Sequence, residues 1–177
     1  MAVAMNDTPA TDAFDPARLF AAMERFGHSN ALGLRYSAHG DDWAELRMPW
    51  RAALVGDAAA ETMATGAIIT LMDMASGLAV WTTLGHFRPQ ATLDLRIDYI
   101  RAALPRADMV ARVQCYRVAR EIAFVRGIAH DGDPDDPVAH LAATFMFTGA
   151  AMNEAAATIG RVPPTGPAIG PAMGPPP

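Results

Sequence analysis

The sequence is poor in the residues that build disulfide frameworks and thiolate metal cages. Among its 177 residues there is one cysteine, Cys115, so no disulfide framework can form within the chain. Cys115 lies among alternating apolar residues, which is typical of a small core side chain. We therefore expect neither structural disulfides nor a cysteine-ligated metal.

Excess positive charge and the common catalytic motifs are also missing. The formal net charge is −5, which disfavours a nucleic-acid partner because phosphate affinity comes mainly from clustered lysine and arginine. There is no GxSxG elbow, glycine-rich phosphate loop or HExxH motif, and the five histidines show no metal-ligand spacing. We expect no metal, no cofactor and no nucleic acid. The N-terminus has no basic segment before an apolar stretch, which favours a cytoplasmic protein over a secreted one.

Charge is scarcest in Thr65–Leu84, an apolar run of helical length with a single acid, Asp73, near its centre. At helical spacing Asp73 shares a stripe with Gly66, Thr70 and Gly77. A helix that is apolar on nearly all sides is normally buried, and a carboxylate is rarely buried without a partner or a function. The acid also argues against a membrane span. Asp73 either pairs with an arginine, or lies at the solvent edge of the helix without a function, or acts in a site that its small neighbours keep open.

The remaining pattern predicts one α+β domain. A helix is expected from Pro16 to a stop at Gly27, then a hairpin with strands over 31–38 and 43–48, and a loop over 49–62. After the long helix, strands are predicted over 91–101, 109–120, 121–130 and 138–148. Strands grouped after one long helix predict an antiparallel sheet of five to six strands packed on that helix.

Strict alternation marks the strand over 91–101 as having one buried face. It places Leu93, Leu95, Ile97 and Tyr99 together and Thr92 on the opposite side. Residues 1–14 are expected to form a flexible lead and 15–148 the domain. The proline- and glycine-rich stretch over 149–177 is expected to be a disordered tail.

The start of the long helix is a second candidate site. Unpaired N–H groups and the positive end of the helix dipole lie there, and Gly66 lets a substrate oxygen approach them. Gly66 and Asp73 are two turns apart, roughly 10 Å along the axis, which is too far for both to act on one atom. A second copy that brings its helix start beside Asp73 would complete a site at the interface of a homo-oligomer.

Three blocks of the chain carry a family resemblance. They are GDAAAETMATGAIITLMDMASGLAV, RPQATLDLRIDYIRAA and REIAFVRGIAHDGDPDDPVAHLAATFMF. Over roughly residues 15–148 the chain resembles the hotdog-fold acyl-CoA thioesterases of the phenylacetate-pathway (PaaI-like) group. The resemblance implies a long helix wrapped by an antiparallel sheet, an acyl-CoA substrate, and homodimers or homotetramers with active sites at the subunit interface.

The resemblance also assigns roles to individual residues. It implies that Asp73 is the general base for the hydrolytic water, or the nucleophile. The backbone amides at Thr65 and Gly66 would hold the thioester oxygen, and Thr92 would position the water. Ala64 is expected to contact the substrate. An apolar lining is suggested by Met63, Met72, Met74 and Trp81, and the candidates for binding coenzyme A phosphates are Arg88, Arg96, Arg101 and Arg120.

The helix start departs from the family pattern. The group usually has His-Gly-Gly where this chain has Ala64-Thr65-Gly66. One alternative is therefore an acyl-CoA binding protein of the same fold that lacks turnover. A second is an assembly module whose tail docks a partner, and a third is a dehydratase of the same fold. A dehydratase normally pairs its acid with a histidine, which is absent near Asp73.

Overall fold

A computed structural model describes residues 14–148, so the predicted tail over 149–177 and all but the last residue of the predicted lead lie outside the described residues. The helices within this range are α1 (Pro16–Met23), α2 (Gly27–Leu32) and α3 (Thr65–Leu84), and a 3₁₀ turn spans Ala52–Leu54. The strands are β1 (Arg35–His39), β2 (Trp43–Met48), β3 (Val55–Asp57), β4 (Thr62–Met63), β5 (Gln90–Tyr99), β6 (Met109–Val118), β7 (Ile122–His130) and β8 (Ala139–Phe147).

Six of the strands form one antiparallel sheet in the order β1–β2–β6–β7–β8–β5. The outermost strands are therefore β1 and β5. Strands β3 and β4 pair separately, just before α3. This arrangement confirms the predicted α+β class and the antiparallel sheet of five to six strands.

Helix α3 is the core element of the domain. It packs on the inner face of the sheet, mainly against β6, β2 and β7, and buries Leu71, Met72 and Leu78. It ends where Gly85 takes a left-handed conformation with φ 67°, which glycine adopts without strain. By length and composition α3 could cross a membrane, but 56% of its apolar stretch is buried inside the protein. That burial is typical of the core helix of a soluble domain; a cytoplasmic location stays a prediction.

The predicted single helix ending at Gly27 is wrong at its C-terminal end. Helix α1 begins as expected, because the Asp15 carboxylate caps it by accepting two backbone N–H groups at 2.9 and 3.2 Å. It ends at Met23, and Gly27 instead begins α2. The amide Nδ2 of Asn30 donates to the Glu24 carbonyl at 3.0 Å and closes the turn between the two helices.

Two neighbouring boundaries shift as a consequence of local structure. The first strand, predicted over 31–38, begins only at Arg35 because α2 runs on to Leu32 and stops at Gly33, with φ 70°. The loop predicted over 49–62 contains the 3₁₀ turn and most of the β3–β4 hairpin. The second strand, by contrast, has the predicted bounds.

A β-bulge at the start of β5 overturns the predicted alternation. Thr92 pairs with Phe145 of β8, whereas Asp94 pairs with the very next residue of β8, which leaves Leu93 as the extra residue. A bulge reverses the facing of the side chains before it relative to those after it. Thr92 therefore shares the inner side with Leu95, and Leu93 is 53% exposed instead of buried.

Candidate active site

Asp73 lies half-buried in the middle of α3. Its Oδ1 atom accepts a hydrogen bond from the Thr92 hydroxyl at 3.0 Å. Within residues 14–148 no arginine or lysine forms an ion pair with Asp73, and no protein group donates to its Oδ2 atom. The carboxylate is therefore not an arginine-paired structural acid in this part of the chain.

The bulge in β5 is what brings Thr92 to Asp73. With regular pairing Thr92 would point to the outer face of the sheet, away from α3; the extra residue Leu93 turns it inward. Strand β5 then runs back along α3, and the Tyr99 hydroxyl at its far end donates to the Thr65 carbonyl at 3.0 Å. One strand thus contacts both candidate sites on the helix.

Asp73 and Thr92 line a cavity of about 150 Å³. Its other lining residues are Met23, Met74, Gly77, Trp81, Gln90 and Phe145. Small-molecule sites usually enclose about 300–1,000 Å³, so one chain forms only part of a site of that size. The predicted apolar lining holds for Met74 and Trp81, whereas Met72 and Met63 lie in the core.

The start of α3 is open to solvent. Thr65 and Gly66 are exposed, and their amides precede the first helical hydrogen bonds, which run from Ala67 and Ile68 to the Ala64 carbonyl. Ala64 provides no side-chain cap, and a Cβ atom at Gly66 would meet nothing within 4 Å. These amides are accessible donors at the positive end of a long helix.

The loop before α3 is fixed by contacts to the β5–β6 turn. Arg106 donates two hydrogen bonds to the Glu61 carboxylate, at 2.8 and 2.6 Å, and these hold the pKa of Glu61 below its usual value. The Glu61 carbonyl accepts from the indole N–H of Trp50 at 3.1 Å. Since α3 begins four residues later, these contacts position the helix start from outside the helix.

The two candidate sites stay apart within one chain. Asp73 and Thr92 share the cavity, but Thr65 and Gly66 lie two turns away at the helix start and are absent from the cavity lining. Ala64 is half-buried just before them. Met63, which was expected to contact substrate, is 5% exposed and belongs to the core, because it pairs with Val55 in the β3–β4 hairpin.

Comparison with known proteins identifies the family. The sequence-family model of the thioesterase superfamily matches residues 61–138, which contain α3 and the three strands that follow it. A crystal structure of a Pseudomonas aeruginosa protein is 37% identical in sequence, covers 76% of this chain and 98% of that chain, and superposes with a TM-score of 0.67. The chain belongs to the thioesterase superfamily.

Two further solved structures are similar to this chain. A variant of the phenylacetic acid degradation protein PaaI from Thermus thermophilus is 27% identical, covers 67% of this chain and 96% of that chain, and has a TM-score of 0.58. A thioesterase from Haemophilus influenzae, 17% identical with a TM-score of 0.67 over 75% of this chain and 90% of that chain, shares the fold. The hotdog fold and the resemblance to the PaaI-like group are confirmed. No curated protein matches the chain.

The arginines proposed for coenzyme A binding differ in their availability. Arg101 has a structural role, because it donates to both carboxylate oxygens of the buried Asp131 at 2.9 and 2.6 Å. Arg88 lies over the Phe147 ring, 3.9 Å from its centroid. Arg96 and Arg120 form ion pairs with exposed acids, and both remain candidates for binding the phosphates of coenzyme A.

Gln90 is the polar cavity residue that the sequence interpretation missed, beside the apolar Met23 and Phe145. It is the first residue of β5 and stands two positions before Thr92 on the same inner side. Its amide Nε2 donates to the Gly77 carbonyl of α3 at 2.9 Å. A polar residue two positions before Thr92 was the available signal, but the alternation analysis placed that side of the strand outside.

Proposed function

We propose that this protein hydrolyses acyl-CoA thioesters to a carboxylic acid and free CoA, with Asp73 as general base or nucleophile. The observation that carries the proposal is the Asp73 carboxylate, which lines a small cavity with one protein donor, Thr92, and no ion-pair partner within residues 14–148. A carboxylate in this setting is available to accept a proton or attack a carbonyl carbon. Membership of the thioesterase superfamily supports thioesterase activity in general.

As a base, Asp73 takes a proton from water while the water oxygen bonds to the thioester carbon. The carbonyl oxygen becomes an oxyanion, which the amides at Thr65 and Gly66 of a second copy stabilise. Collapse of this intermediate breaks the C–S bond, and the sulfur takes up the proton to give the CoA thiol. As a nucleophile, Asp73 would expel the thiolate directly and form an anhydride that water then hydrolyses.

A second copy of the chain is part of the proposal because one chain separates the two halves of the site. Gly66 and Asp73 lie roughly 10 Å apart along the axis of α3, and the cavity at Asp73 is small. Strand β5 lies at the edge of the sheet with no partner on its outer side within the described residues. Two large hydrophobic side chains of this strand are exposed to solvent, Leu93 to 53% and Tyr99 to 39%.

Unpaired edge strands are sites where a second chain adds, and closed dimers use the same patch on both subunits. We therefore propose a homodimer in which β5 of one copy lies beside β5 of the other. Two such dimers can pair into a tetramer. The proposal requires that the helix start of each copy lies beside the Asp73 of its partner.

Mixing of two inactive variants tests the shared site. Asp73→Asn removes the acid, and Gly66→Val fills the open space before the amides. If each site takes Asp73 from one copy and Gly66 from the other, random mixing after unfolding and refolding restores about a quarter of the wild-type activity. If both groups act within one copy, mixing restores none. Each variant alone must first show the native molecular mass by light scattering.

The activity itself is tested by thiol release from short, long and aromatic acyl-CoAs. The proposal predicts enzyme-dependent release of free thiol from at least one class. Calorimetry on the same substrates separates the alternative, an acyl-CoA binding protein without turnover. Tight binding with no thiol release from any substrate would contradict the proposed hydrolysis and favour that alternative.

One observation favours the alternative of an acyl-CoA binding protein without turnover. The helix start has Ala64 at its N-cap position, which supplies no side-chain hydrogen bond, where the related group has histidine. A dehydratase is disfavoured, because no histidine lines the cavity at Asp73 within the described residues. The tail that would serve an assembly module lies outside the described residues.

A further inference from the structure

The Tyr99 hydroxyl is hydrogen-bonded to the start of α3. It donates to the Thr65 carbonyl at 3.0 Å, from the last residue of β5. Because Thr65 is the first residue of α3, this hydrogen bond joins the edge strand of the sheet to the first turn of the helix. Burial raises the pKa of the Tyr99 hydroxyl above its usual value, so the group remains a protonated donor near neutral pH.

The carbonyl that accepts this hydrogen bond belongs to the same peptide group as one of the amides proposed to hold the oxyanion. The Thr65 C=O and the Gly66 N–H are the two ends of one planar unit, so a contact that fixes the oxygen also fixes the direction of the N–H. The first helical hydrogen bonds run from Ala67 and Ile68. The Gly66 N–H precedes them and has no acceptor within the helix, which leaves it available to a substrate oxygen.

The helix start has little intrinsic restraint on this peptide. Ala64 provides no side-chain cap, and residue 66 is a glycine, which has more backbone freedom than any other residue and open space where a Cβ atom would stand. The contacts of Glu61 hold the loop four residues before the helix, not the peptide itself. Tyr99 therefore supplies, from β5, a restraint that the first turn does not provide for itself.

We infer that Tyr99 is a positioning residue, which acts on the reaction through the Gly66 amide. Its hydrogen bond to the Thr65 carbonyl holds the peptide plane and polarises the peptide, so the N–H becomes a stronger donor to the oxyanion. This stabilisation grows with the negative charge on the thioester oxygen, so it is larger in the transition state than in the bound substrate. The inference rests on the proposed hydrolysis and on the oxyanion role of Gly66.

The test is Tyr99→Phe, which keeps the ring and removes the hydroxyl. One oxyanion donor typically contributes about 10²–10³ in kcat, and a hydrogen bond in series strengthens its neighbour by roughly 10–30%. We therefore expect kcat for thiol release to fall roughly two- to eightfold, with KM within about twofold of wild type. The melting temperature should fall by no more than a few degrees. An unchanged kcat, with or without a rise in KM, would overturn the inference.

The choice of the copy that carries Tyr99→Phe separates this role from general damage. When Asp73→Asn and Gly66→Val chains are mixed, the restored site takes its acid from the Gly66→Val chain and its helix start from the Asp73→Asn chain. Tyr99→Phe added to the Asp73→Asn chain should lower the restored activity, whereas the same change added to the Gly66→Val chain should not. Equal losses would contradict the role, because damage to β5 or to the dimer does not depend on the copy that carries it.

A fluorotyrosine at position 99 tests the strength of the donor without removing it. Fluorine makes the ring hydroxyl more acidic and hence a stronger hydrogen-bond donor. At a pH at which this hydroxyl stays protonated, kcat should rise above that of the wild type. A kcat that does not rise would contradict the role. This variant decides on Tyr99 by itself if Tyr99→Phe fails to fold or if mixing of the two inactive chains restores no activity.

Tyr36→Phe is the matched control. It removes a hydroxyl that is hydrogen-bonded to His39 on β1, at the opposite edge of the sheet, and should not change kcat. A loss of kcat equal to that of Tyr99→Phe would contradict a specific role for Tyr99. Absence of thiol release by the wild type would refute the proposed hydrolysis; an active wild type with an unaffected Tyr99→Phe refutes only the positioning role.

Discussion

Replacement of Thr92 by valine tests whether its contact with Asp73 contributes to turnover. Valine has the shape of threonine but no hydroxyl, so Asp73 Oδ1 loses the one donor it has within residues 14–148. A hydrogen bond to a charged group contributes about 1.5–3 kcal/mol, which corresponds to roughly a 10- to 150-fold change in rate. Thr92 is exposed in the single chain, so water competes for the carboxylate and we expect the lower end, about tenfold in kcat.

The assay is steady-state thiol release by the wild type, Thr92→Val and Thr92→Ser at saturating acyl-CoA. Serine keeps the hydroxyl and should restore most of the activity. The melting temperature of Thr92→Val should stay near that of the wild type, because valine is well suited to a strand. A kcat for Thr92→Val within twofold of wild type, or equal losses for valine and serine, would refute the reasoning.

Three further predictions concern the helix start and the frame of the domain. Gly66→Ala should leave the melting temperature unchanged or raised, since a Cβ there meets nothing within 4 Å, but should lower kcat by narrowing access to the amides; unchanged kcat would remove Gly66 from the site. Gly127→Ala should lower the melting temperature by roughly 2–12 °C in a thermal scan, because its Cβ would stand 2.6 Å from the Arg112 carbonyl oxygen on β6, and a stable variant would contradict the packing. The hydrogen bonds from Arg101 hold the pKa of Asp131 below its usual value, so this carboxylate stabilises the fold above the unfolded pKa and loses that contribution as pH falls through the folded one. In urea unfolding the stability gap between wild type and Asp131→Asn should therefore narrow below about pH 4, and a gap equal at pH 7 and pH 3 would oppose this.

Composition and periodicity were sufficient for the large elements of the fold. The apolar run Thr65–Leu84 is helical over the predicted bounds. It contains one charged residue, so nearly all of its side chains can be buried, and Gly85 ends the helix in a left-handed conformation. The four strands after it lie within two residues of their predicted limits. Long elements with a consistent pattern leave the chain few alternatives.

Features that depend on pairing between distant segments were not accessible to the sequence. The bulge at Leu93 exists only in the register of β5 against β8, and it decides which way Thr92 points. The end of α1 likewise depends on the side chain of Asn30, six residues beyond the carbonyl it contacts. Residue patterns within one segment carry no information on either contact.

The candidate site likewise contains one residue that the local sequence pattern revealed and others that depend on contacts between distant segments. Asp73 was identifiable because one acid interrupts an apolar helix, and the structure places it at a cavity with Thr92. Gln90 was not identifiable, since its place at the cavity depends on the hydrogen bond to the Gly77 carbonyl, which only the packed strand and helix create. Met63 was misplaced because its pairing in the short β3–β4 hairpin buries it.

The central claim is that Asp73 performs the chemistry, and the ratio of kcat for thiol release between the wild type and Asp73→Asn tests it most directly. Asparagine keeps the size of the side chain and its acceptor toward Thr92 but neither takes up a proton nor attacks a carbonyl at neutral pH. With Asp41→Asn, an exposed acid in the β1–β2 turn, as the matched control, we predict a loss of about 10²–10⁴ in kcat for Asp73→Asn and none for the control. A folded Asp73→Asn protein with wild-type kcat would contradict the account.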